Sequence, residues 1–236
     1  MALEDFAIDV WHVAPPALDE AQLASCEALM SEEERTSVRR FVSEANRRER
    51  TAARALVRSV LAAHRRVEPA SLRFDTGAFG KPELVPPSTL RFNLAHHPTM
   101  VVCAVAEGRE VGVDVEPLSR HTQILEVAES VFATSERAEL SRMDDGARAD
   151  RAVSLWTSKE AYIKARGAGL SLPLRRFTWT FENDPPRLTA DASVDADPAR
   201  WALAFTDVDG HRIALVVEAP GATVRIRLHA WTVPSS

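Results

Sequence analysis

The first stretch whose residue types and spacing could support chemistry is residues 155–169, which read LWTSKEAYIKARGAG. Trp156, Glu160 and Lys164 are each four residues apart, so they line one face of a predicted helix. Gly167 marks the end of that helix, because glycine readily takes the left-handed conformation found there. A glutamate four residues before a lysine is also a common surface pair, worth about 0.2–0.5 kcal/mol to a helix. This stretch alone therefore favours an ordinary exposed helix face.

A second stretch, residues 110–117, reads EVGVDVEP and alternates with the period of a β-strand. Asp114 and Glu116 are two residues apart, so both carboxylates point to the same side of the predicted sheet. Neighbouring carboxylates repel each other unless a cation lies between them, and Mg²⁺ commonly binds one or two carboxylates together with substrate phosphates and water. The pattern predicts a magnesium site. The alternative is the solvated acidic face of an amphipathic strand.

Lysine is rare in this chain. Only three of the 29 basic residues are lysines, and the others are arginines. A lysine is expected to persist where a compact ammonium is needed and the planar guanidinium would not fit. Lys159 and Lys164 lie in the helical stretch, and Lys81 lies between Gly80 and Pro82. The usage singles out these two stretches, although three instances are also compatible with chance.

Five motifs occur in one order along the chain. They are FGKP at 79–82, FNLAH at 92–96, GVDVE at 112–116, WTSKEAYIK at 156–164 and GAGLSLPL at 167–174. With RRF at 39–41 and ALVRSV at 55–60, they resemble the Sfp-type 4′-phosphopantetheinyl transferases over about residues 31–182. The resemblance implies an α+β fold built as a pseudodimer of two similar halves, with coenzyme A between them. We expect an N-terminal half, residues 1–110, on the nucleotide side and a C-terminal half, residues 111–236, that carries the magnesium ligands and catalytic acids.

The resemblance also implies an activity and a set of site residues. The expected reaction transfers the 4′-phosphopantetheine arm of coenzyme A to a serine of an apo acyl or peptidyl carrier protein and releases 3′,5′-ADP. Asp114, Glu116 and Glu160 are expected to hold Mg²⁺, with Glu160 also the candidate base and Lys164 the cation for the leaving group. The expected substrate-binding residues are Arg50, Gly80, Lys81, Pro82, His96 and Lys159.

The sequence departs from the family at the expected 3′-phosphate contacts. Two positions at which the family has lysine align with Glu34 and Ser37 in this chain. The family also has a serine before the histidine that contacts the phosphate, whereas this chain has Ala95 before His96. Which arginines bind the 3′-phosphate is therefore open, as is the carrier, which could serve fatty-acid, polyketide or peptide synthesis. The alternative function is a non-catalytic module that binds coenzyme A or a carrier protein. An unrelated magnesium-nucleotide enzyme lacks support, because no Walker-type glycine loop occurs.

Composition narrows the class of protein. The chain has 236 residues, of which 45% are hydrophobic, so one large or two small domains with an ample core are expected. A net charge of −5 and the absence of a recognition motif argue against a protein that binds nucleic acid, although many arginines lie in residues 35–66. No apolar run approaches the roughly 20 residues of a membrane span, and the first residues lack a signal-peptide pattern. We expect a cytoplasmic monomer in which Cys26 and Cys103 are reduced.

Hydrophobic periodicity predicts the elements that must position these residues. Helices are expected at 18–30, 52–63, 121–131, 135–143 and 150–166, and strands at 6–13, 72–74, 90–94, 177–181 and 224–231. Residues 100–106 and 110–116 are predicted to form one hairpin, and residues 201–206 and 212–218 a second. Each hairpin follows a helix-rich stretch, which suggests an internal duplication. Residues 76–87 are expected to be a loop, residues 143–149 mobile, and residues 182–199 the least ordered part.

Overall fold

The computed structural model describes residues 5–77, 80–182 and 185–234, and only the backbone of Asp5 and Leu170. The first half of the described chain contains five strands and three helices. In order they are β1 (Asp5–Val13), α1 (Glu20–Ala28), α2 (Glu32–Arg39), α3 (Glu44–Arg65), β2 (Arg73–Thr76), β3 (Pro82–Val85), β4 (Leu90–His97) and β5 (Met100–Glu107).

The second half repeats this sequence of elements and adds a final strand. In order they are β6 (Val111–Pro117), α4 (His121–Glu126), α5 (Ala128–Val131), α6 (Thr134–Leu140), α7 (Asp145–Arg166), β7 (Phe177–Thr180), β8 (Arg187–Ala190), β9 (Trp201–Val208), β10 (His211–Glu218) and β11 (Thr223–Ala230). Each half therefore runs from a strand through short helices to a 22-residue helix, then to a two-stranded ribbon and a hairpin.

The sheet order confirms the predicted duplication. One sheet has the order β11-β1-β5-β4 and the other the order β6-β10-β9, so in each half the first strand pairs with the second strand of the hairpin. The ribbons β2-β3 and β7-β8 form two separate small sheets. The fold is thus α+β and a pseudodimer of two similar halves, as predicted.

The first predicted hairpin, residues 100–116, is wrong. β5 pairs with β1 and β4, whereas β6 pairs with β10 in the other sheet. The short turn at residues 108–110 carries the chain from one half into the next, and the N-terminal hairpin is instead β4–β5, with Leu90 opposite Glu107. A period of two identifies a strand but not its partner. The second predicted hairpin is confirmed, because β9 and β10 pair along their whole length.

The last strand crosses the predicted division between the halves. β11 pairs in parallel with β1, with Ile8 opposite Ile226, and so extends the N-terminal sheet from the C-terminal end of the chain. Its alternating side chains were predicted correctly as a strand, but the sequence pattern contained no signal for its partner. The N-terminal sheet therefore includes a strand from the C-terminal end of the chain.

Several boundaries differ because helix caps lie further upstream than the apolar pattern. Ser43 accepts a hydrogen bond from the Asn46 N–H (3.4 Å) and starts α3 well before residue 52. Asp144 caps α7 (2.9 Å from Ala147 N), so most of residues 143–149, predicted mobile, is helical. The predicted loop at 76–87 contains β3, and the predicted poorly ordered segment at 182–199 contains β8. Phe79 of the FGKP motif lies outside the described residues.

Reciprocal hydrogen bonds between Ser31 and Glu34 form a capping box at the start of α2. At the start of α6 the cap residue is Ala133, and Glu136 accepts a hydrogen bond from the Ala133 N–H (2.8 Å). Both free cysteines are buried, as expected. Within the described residues, no helix is both long and apolar enough to cross a bilayer.

Candidate functional site

The two halves meet where strands β4 and β6 lie side by side. The Oδ1 atom of Asn93, a buried residue of β4, accepts a hydrogen bond from the Val113 N–H of β6 (2.9 Å). Lys81 donates to the Glu110 carboxylate (3.0 Å) and to the Val111 carbonyl (3.4 Å). Side chains from the N-terminal half therefore satisfy main-chain groups on the free edge of β6. These contacts fix the strand that carries the paired acids.

Gly112 brings β6 directly against helix α7. A Cβ atom at this position would lie 2.1 Å from the Ala161 carbonyl oxygen and 2.2 Å from the Ala165 nitrogen, so no larger residue fits. The backbone contact places the acids that follow Gly112 beside the helix face that carries Glu160 and Lys164. The glycine of the GVDVE motif thus has a steric role in assembling the site.

Asp114 is buried and partly neutralised. Its Oδ1 atom accepts a hydrogen bond from the Lys164 ammonium (2.6 Å), whereas its Oδ2 atom is buried without a hydrogen-bond partner among the described residues. Burial raises the pKa of Asp114 to about 7; Lys164 opposes this shift, and the charges of Glu116 and Glu160 add to it. A second cation would satisfy the free oxygen and stabilise the ionised carboxylate.

Glu116 has the same arrangement one pleat further along the strand. Its Oε1 atom accepts hydrogen bonds from the Trp156 indole N–H (2.9 Å) and from Arg120, while Oε2 is buried and unpartnered within the described chain. Trp156 thus contributes to the predicted helix face by orienting an acid. Arg120, in the turn after β6, was not identified from the sequence, which offered no signal beyond one more arginine in an arginine-rich chain.

Glu160 lies between Trp156 and Lys164 on the helix face, as its spacing predicted. Burial raises the pKa of Glu160; Lys164 opposes that shift and Glu116 adds to it. The three acids are therefore close enough to influence one another. Among the residues that the structure describes, however, no three Asp, Glu, His or Cys side chains are already close enough together to hold a metal ion.

The donor set fits Mg²⁺ nonetheless. Two buried carboxylate oxygens, Asp114 Oδ2 and Glu116 Oε2, lack partners, and oxygen is the ligand that Mg²⁺ prefers. Two carboxylates are sufficient, because Mg²⁺ usually retains water and takes further oxygens from substrate phosphates. Glu160 as a third ligand remains a prediction.

The N-terminal half contributes the other side of this site, which we call the cleft, because His96 lies near Lys164 and His97 near Glu116. His96, on β4, lies 2.6 Å from Glu49 (Nδ1–Oε1) and 3.3 Å from Arg50 (Nε2–Nη1), which fits a neutral imidazole that donates to Glu49 and accepts from Arg50. Burial lowers the pKa of His96, the charges of Arg50 and Lys164 lower it further, and Glu49 opposes them. Helix α3, strand β4 and helix α7 therefore bring two cations and an imidazole to one place, as an anion-binding wall requires.

Lys159 is separated from the other predicted site residues. Its ammonium is 1% exposed and pairs with Glu136 (2.9 Å), and it donates to the carbonyls of Leu174 (2.8 Å) and Phe177 (2.6 Å). Although adjacent in sequence to Glu160, Lys159 points about 100° away around the helix, into the core. This placement argues against the predicted substrate contact and indicates that Lys159 has a structural role in the core.

A surface groove of about 930 Å³ runs beside the predicted nucleotide side. Gly80 and Pro82 line it, together with parts of α2, α3 and β2. Glu34, which stands where the family has a lysine, also lies in this groove and is neutralised by Arg58 (2.5 Å) and more loosely by Arg54 (3.9 Å). The arginines of α3 thus offset the charge change that the sequence departure introduces.

Comparison with protein-family models gives two matches that follow each other along the chain. A model described as "4'-phosphopantetheinyl transferase, N-terminal" matches residues 16–108. A model described as "4'-phosphopantetheinyl transferase superfamily" matches residues 110–216.

Similar curated proteins span most of the chain. The 4'-phosphopantetheinyl transferase HetI of Nostoc is 34% identical over 167 residues, which is 70% of each chain. A phosphopantetheinyl transferase of Thraustochytrium is 33% identical over 235 residues, or 90% of this chain and 79% of the relative. The 4'-phosphopantetheinyl transferase Sfp of Bacillus subtilis is 32% identical over 160 residues, or 66% of this chain and 69% of the relative. Among solved structures, the holo-[acyl-carrier-protein] synthase of Thermotoga maritima matches 47% of this chain and 62% of its own, with 23% identity and a TM-score of 0.38.

Proposed function

The chain belongs to the 4'-phosphopantetheinyl transferase superfamily, and from this premise we propose how its cleft performs the reaction. The enzyme transfers the 4'-phosphopantetheine arm of coenzyme A to a serine of an apo carrier protein. The serine oxygen forms a bond to the β-phosphorus, the bond from that phosphorus to the bridging oxygen breaks, and 3',5'-ADP leaves with the electron pair. The site must therefore neutralise a pyrophosphate, remove a proton and stabilise a leaving phosphate.

We propose that Asp114 and Glu116 hold Mg²⁺ through their unpartnered oxygens, with Glu160 as the third ligand. When bound, Mg²⁺ supplies charge neutralisation to the pyrophosphate oxygens. The support is the chemistry of the donors, two buried carboxylates with free oxygens on one strand. Trp156 keeps Glu116 in place by donating to its other oxygen (2.9 Å).

Glu160 is the proposed base for the carrier serine, directly or through one water. Burial raises its pKa above the ordinary value of a glutamate, which makes its carboxylate a better proton acceptor near neutral pH. Lys164, one turn further along the helix, is the proposed cation for the leaving phosphate. Its ammonium is free to leave Asp114 once a metal neutralises that acid.

The N-terminal wall is the proposed phosphate and nucleotide side. Arg50 can donate hydrogen bonds to coenzyme A phosphates, and a bound phosphate would favour the protonated form of His96, which donates as well. Gly80, Lys81 and Pro82 would border the nucleotide, with Lys81 also tying this loop to β6. Under this assignment, residues 1–110 form the nucleotide half and residues 111–236 carry the metal and the acids.

One observation carries the proposal. The acids and lysine of the C-terminal half and the histidine and arginine of the N-terminal half lie close together, although 18 to 114 residues separate them along the chain. Because one chain supplies both walls, we further propose that the enzyme works as a monomer. Its two buried, unpaired cysteines agree with a proposed cytoplasmic location.

Mass spectrometry of apo carrier proteins tests the function directly. A panel of fatty-acid, polyketide and peptide-synthetase carriers is incubated with coenzyme A and Mg²⁺, and at least one should gain the mass of one phosphopantetheine. EDTA should abolish the gain, and a carrier with its acceptor serine replaced by alanine should stay unmodified. Full transfer in EDTA would contradict the metal assignment, and no transfer to any carrier would favour a non-catalytic binding module.

A further inference from the structure

Two cations cover the paired acids. Lys164 binds Asp114 Oδ1 (2.6 Å), and Arg120 binds Glu116 Oε1. Each acid thus has one oxygen held by a cation and one oxygen that lacks a hydrogen-bond partner in the described chain. The cations partly compensate charges that Mg²⁺ would otherwise neutralise.

The acids and their cations differ in access to solvent. The side chains of Asp114 and Glu116 are 8% and 9% exposed, whereas that of Arg120 is 41% exposed. The acids are fixed in β6, but Arg120 ends in a long flexible side chain at the mouth of the cleft. It can therefore move outward without disturbing the strand.

Trp156 holds both members of the Arg120–Glu116 pair. The Arg120 guanidinium lies over the Trp156 ring (5.9 Å to the centroid), and the Trp156 indole N–H donates to the same Glu116 oxygen that Arg120 contacts. Glu116 therefore keeps one donor if Arg120 leaves. The charge of Arg120 opposes the rise that burial causes in the pKa of Glu160, and it adds to the lowering that burial causes in the pKa of His97, so its field extends over the site.

We propose that Arg120 is a substrate-binding residue that exchanges partners during the reaction cycle. In the free enzyme it occupies Glu116 and competes with Mg²⁺; when coenzyme A and Mg²⁺ bind together, it transfers to the pyrophosphate oxygens. A guanidinium suits this exchange, because it forms bidentate hydrogen bonds with carboxylate and phosphate alike. The inference rests on the proposed function and predicts that metal binds weakly until the substrate is present.

The exchange predicts two effects of opposite sign from Arg120→Gln. The affinity of the free protein for Mg²⁺ alone should increase by about threefold or more, the scale expected when a partly exposed competing ion pair is removed. The affinity for coenzyme A in the presence of Mg²⁺ should fall by about tenfold or more, the scale of a lost hydrogen bond to a charged group. Calorimetric titrations of Mg²⁺ and of coenzyme A measure both.

Two further variants control the experiment. Arg176→Gln removes a different arginine–carboxylate pair, that of Arg176 with Asp191 (2.7 Å), and should change neither affinity. Arg120→Lys keeps the positive charge, so its affinities for Mg²⁺ and for coenzyme A should stay close to those of the wild type. This variant also serves as a control for a folding defect in the glutamine variant. Thermal melts with increasing Mg²⁺ provide a second measure of metal binding.

Two results would overturn the inference. Unchanged or weaker Mg²⁺ binding in Arg120→Gln would show that Arg120 does not compete with metal. Unchanged coenzyme A affinity would show that it does not bind phosphate. Both titrations proceed without a carrier protein, so they separate this inference from the proposed transfer, whose failure would be seen as unmodified carriers with the wild-type enzyme.

Discussion

The two halves of the molecule each bury one cation at the same place in their long helix. In the N-terminal half this is Arg58, the fifteenth residue of α3, which is 2% exposed. It pairs with Glu34 (2.5 Å), donates to the carbonyls of Pro69 (2.6 Å) and Leu72 (3.0 Å), and lies over the Phe74 ring (5.2 Å). The segment that follows α3 is thereby tied to the helix and to α2.

In the C-terminal half the corresponding cation is Lys159, the fifteenth residue of α7. It pairs with Glu136 (2.9 Å), donates to the carbonyls of Leu174 and Phe177, and lies over the Phe177 ring (4.4 Å). Glu34 and Glu136 also play the same second role, because each accepts a hydrogen bond from the main chain at the start of its own short helix. The duplication has preserved a structural cluster even though arginine and lysine have exchanged.

The acidic site, in contrast, occurs once. By strand register, the positions of Asp114 and Glu116 correspond to Trp11 and Val13 in β1, since each pair lies opposite equivalent residues of the neighbouring strand. There Trp11 stacks on His229 (5.2 Å between ring centroids), on the strand added to β1 from the C-terminal end of the chain. Both halves therefore contain the buried cation that stabilises the fold, whereas the paired acids of the proposed active site are found at this position in the C-terminal half and not at the equivalent position of the N-terminal half.

The largest difference between the two halves is expected for substitution of Asp114. Asp114→Ala should lower transfer by about a thousandfold or more, because it removes several kcal/mol of charge stabilisation at the proposed metal site. The matched change in the other half, Trp11→Phe, should lower stability and leave turnover of the folded protein unchanged. Steady-state transfer and urea unfolding of both variants distinguish these effects. Near-normal transfer by folded Asp114→Ala would make β6 an ordinary acidic strand.

The buried cations provide the next test. Lys159→Ala should cost about 3–5 kcal/mol of stability, because it leaves the buried Glu136 without its partner. Arg58→Ala should cost less, since Glu34 is partly exposed and retains Arg54 nearby. Lys159→Arg should fold and remain active, since arginine performs this role in the other half. Urea unfolding combined with transfer assays measures both quantities. A folded Lys159→Arg protein with greatly reduced transfer would restore the predicted substrate contact of Lys159.

Lys164 should respond differently from Lys159 to the same substitution. If Lys164 contacts the pyrophosphate beside the metal, Lys164→Arg should reduce turnover by about tenfold, or roughly 1.4 kcal/mol, because the broader guanidinium directs its donors differently. The melting temperature should change little, since the side chain is 28% exposed. Transfer kinetics with Lys164→Ala as the second variant measure the effect. Wild-type turnover in the arginine variant would show that Lys164 only forms an ion pair on the surface of the helix.

The smallest expected effect is the pH response of His96. Its pKa is lowered in the folded protein by burial and by Arg50, so the unfolded chain binds more protons as pH falls below about 6.5. The contribution of His96 to stability should therefore decrease with falling pH through this range, and His96→Gln should flatten that part of the curve. Unfolding free energies from pH 7 to 5 for both proteins measure the difference. Parallel curves would show that His96 is not held neutral by its neighbours.

The sequence determined those features that depend on neighbours along the chain. Three features are local patterns of this kind: the alternation around Asp114 and Glu116, the four-residue spacing from Trp156 to Lys164, and the cap formed by Ser31. They predicted correctly that both acids lie on one strand, that Glu160 and Lys164 share a helix face and that the fold repeats an α+β unit. Such patterns suffice because backbone geometry fixes which side chains share a face.

Tertiary structure alone decided which elements meet. β5 and β6 both alternate and adjoin in sequence, yet they pair in different sheets, because register and partner depend on distant strands. Lys159 and Glu160 are neighbours in a single motif, but packing buries the first in the core and places the second beside Asp114. Asn93 gained its role from a contact between the two halves, and Arg120 from its contact with Trp156 on a distant helix, which no local pattern encodes. The physical reason is that burial and pairing are properties of the folded whole, whereas periodicity is a property of the chain.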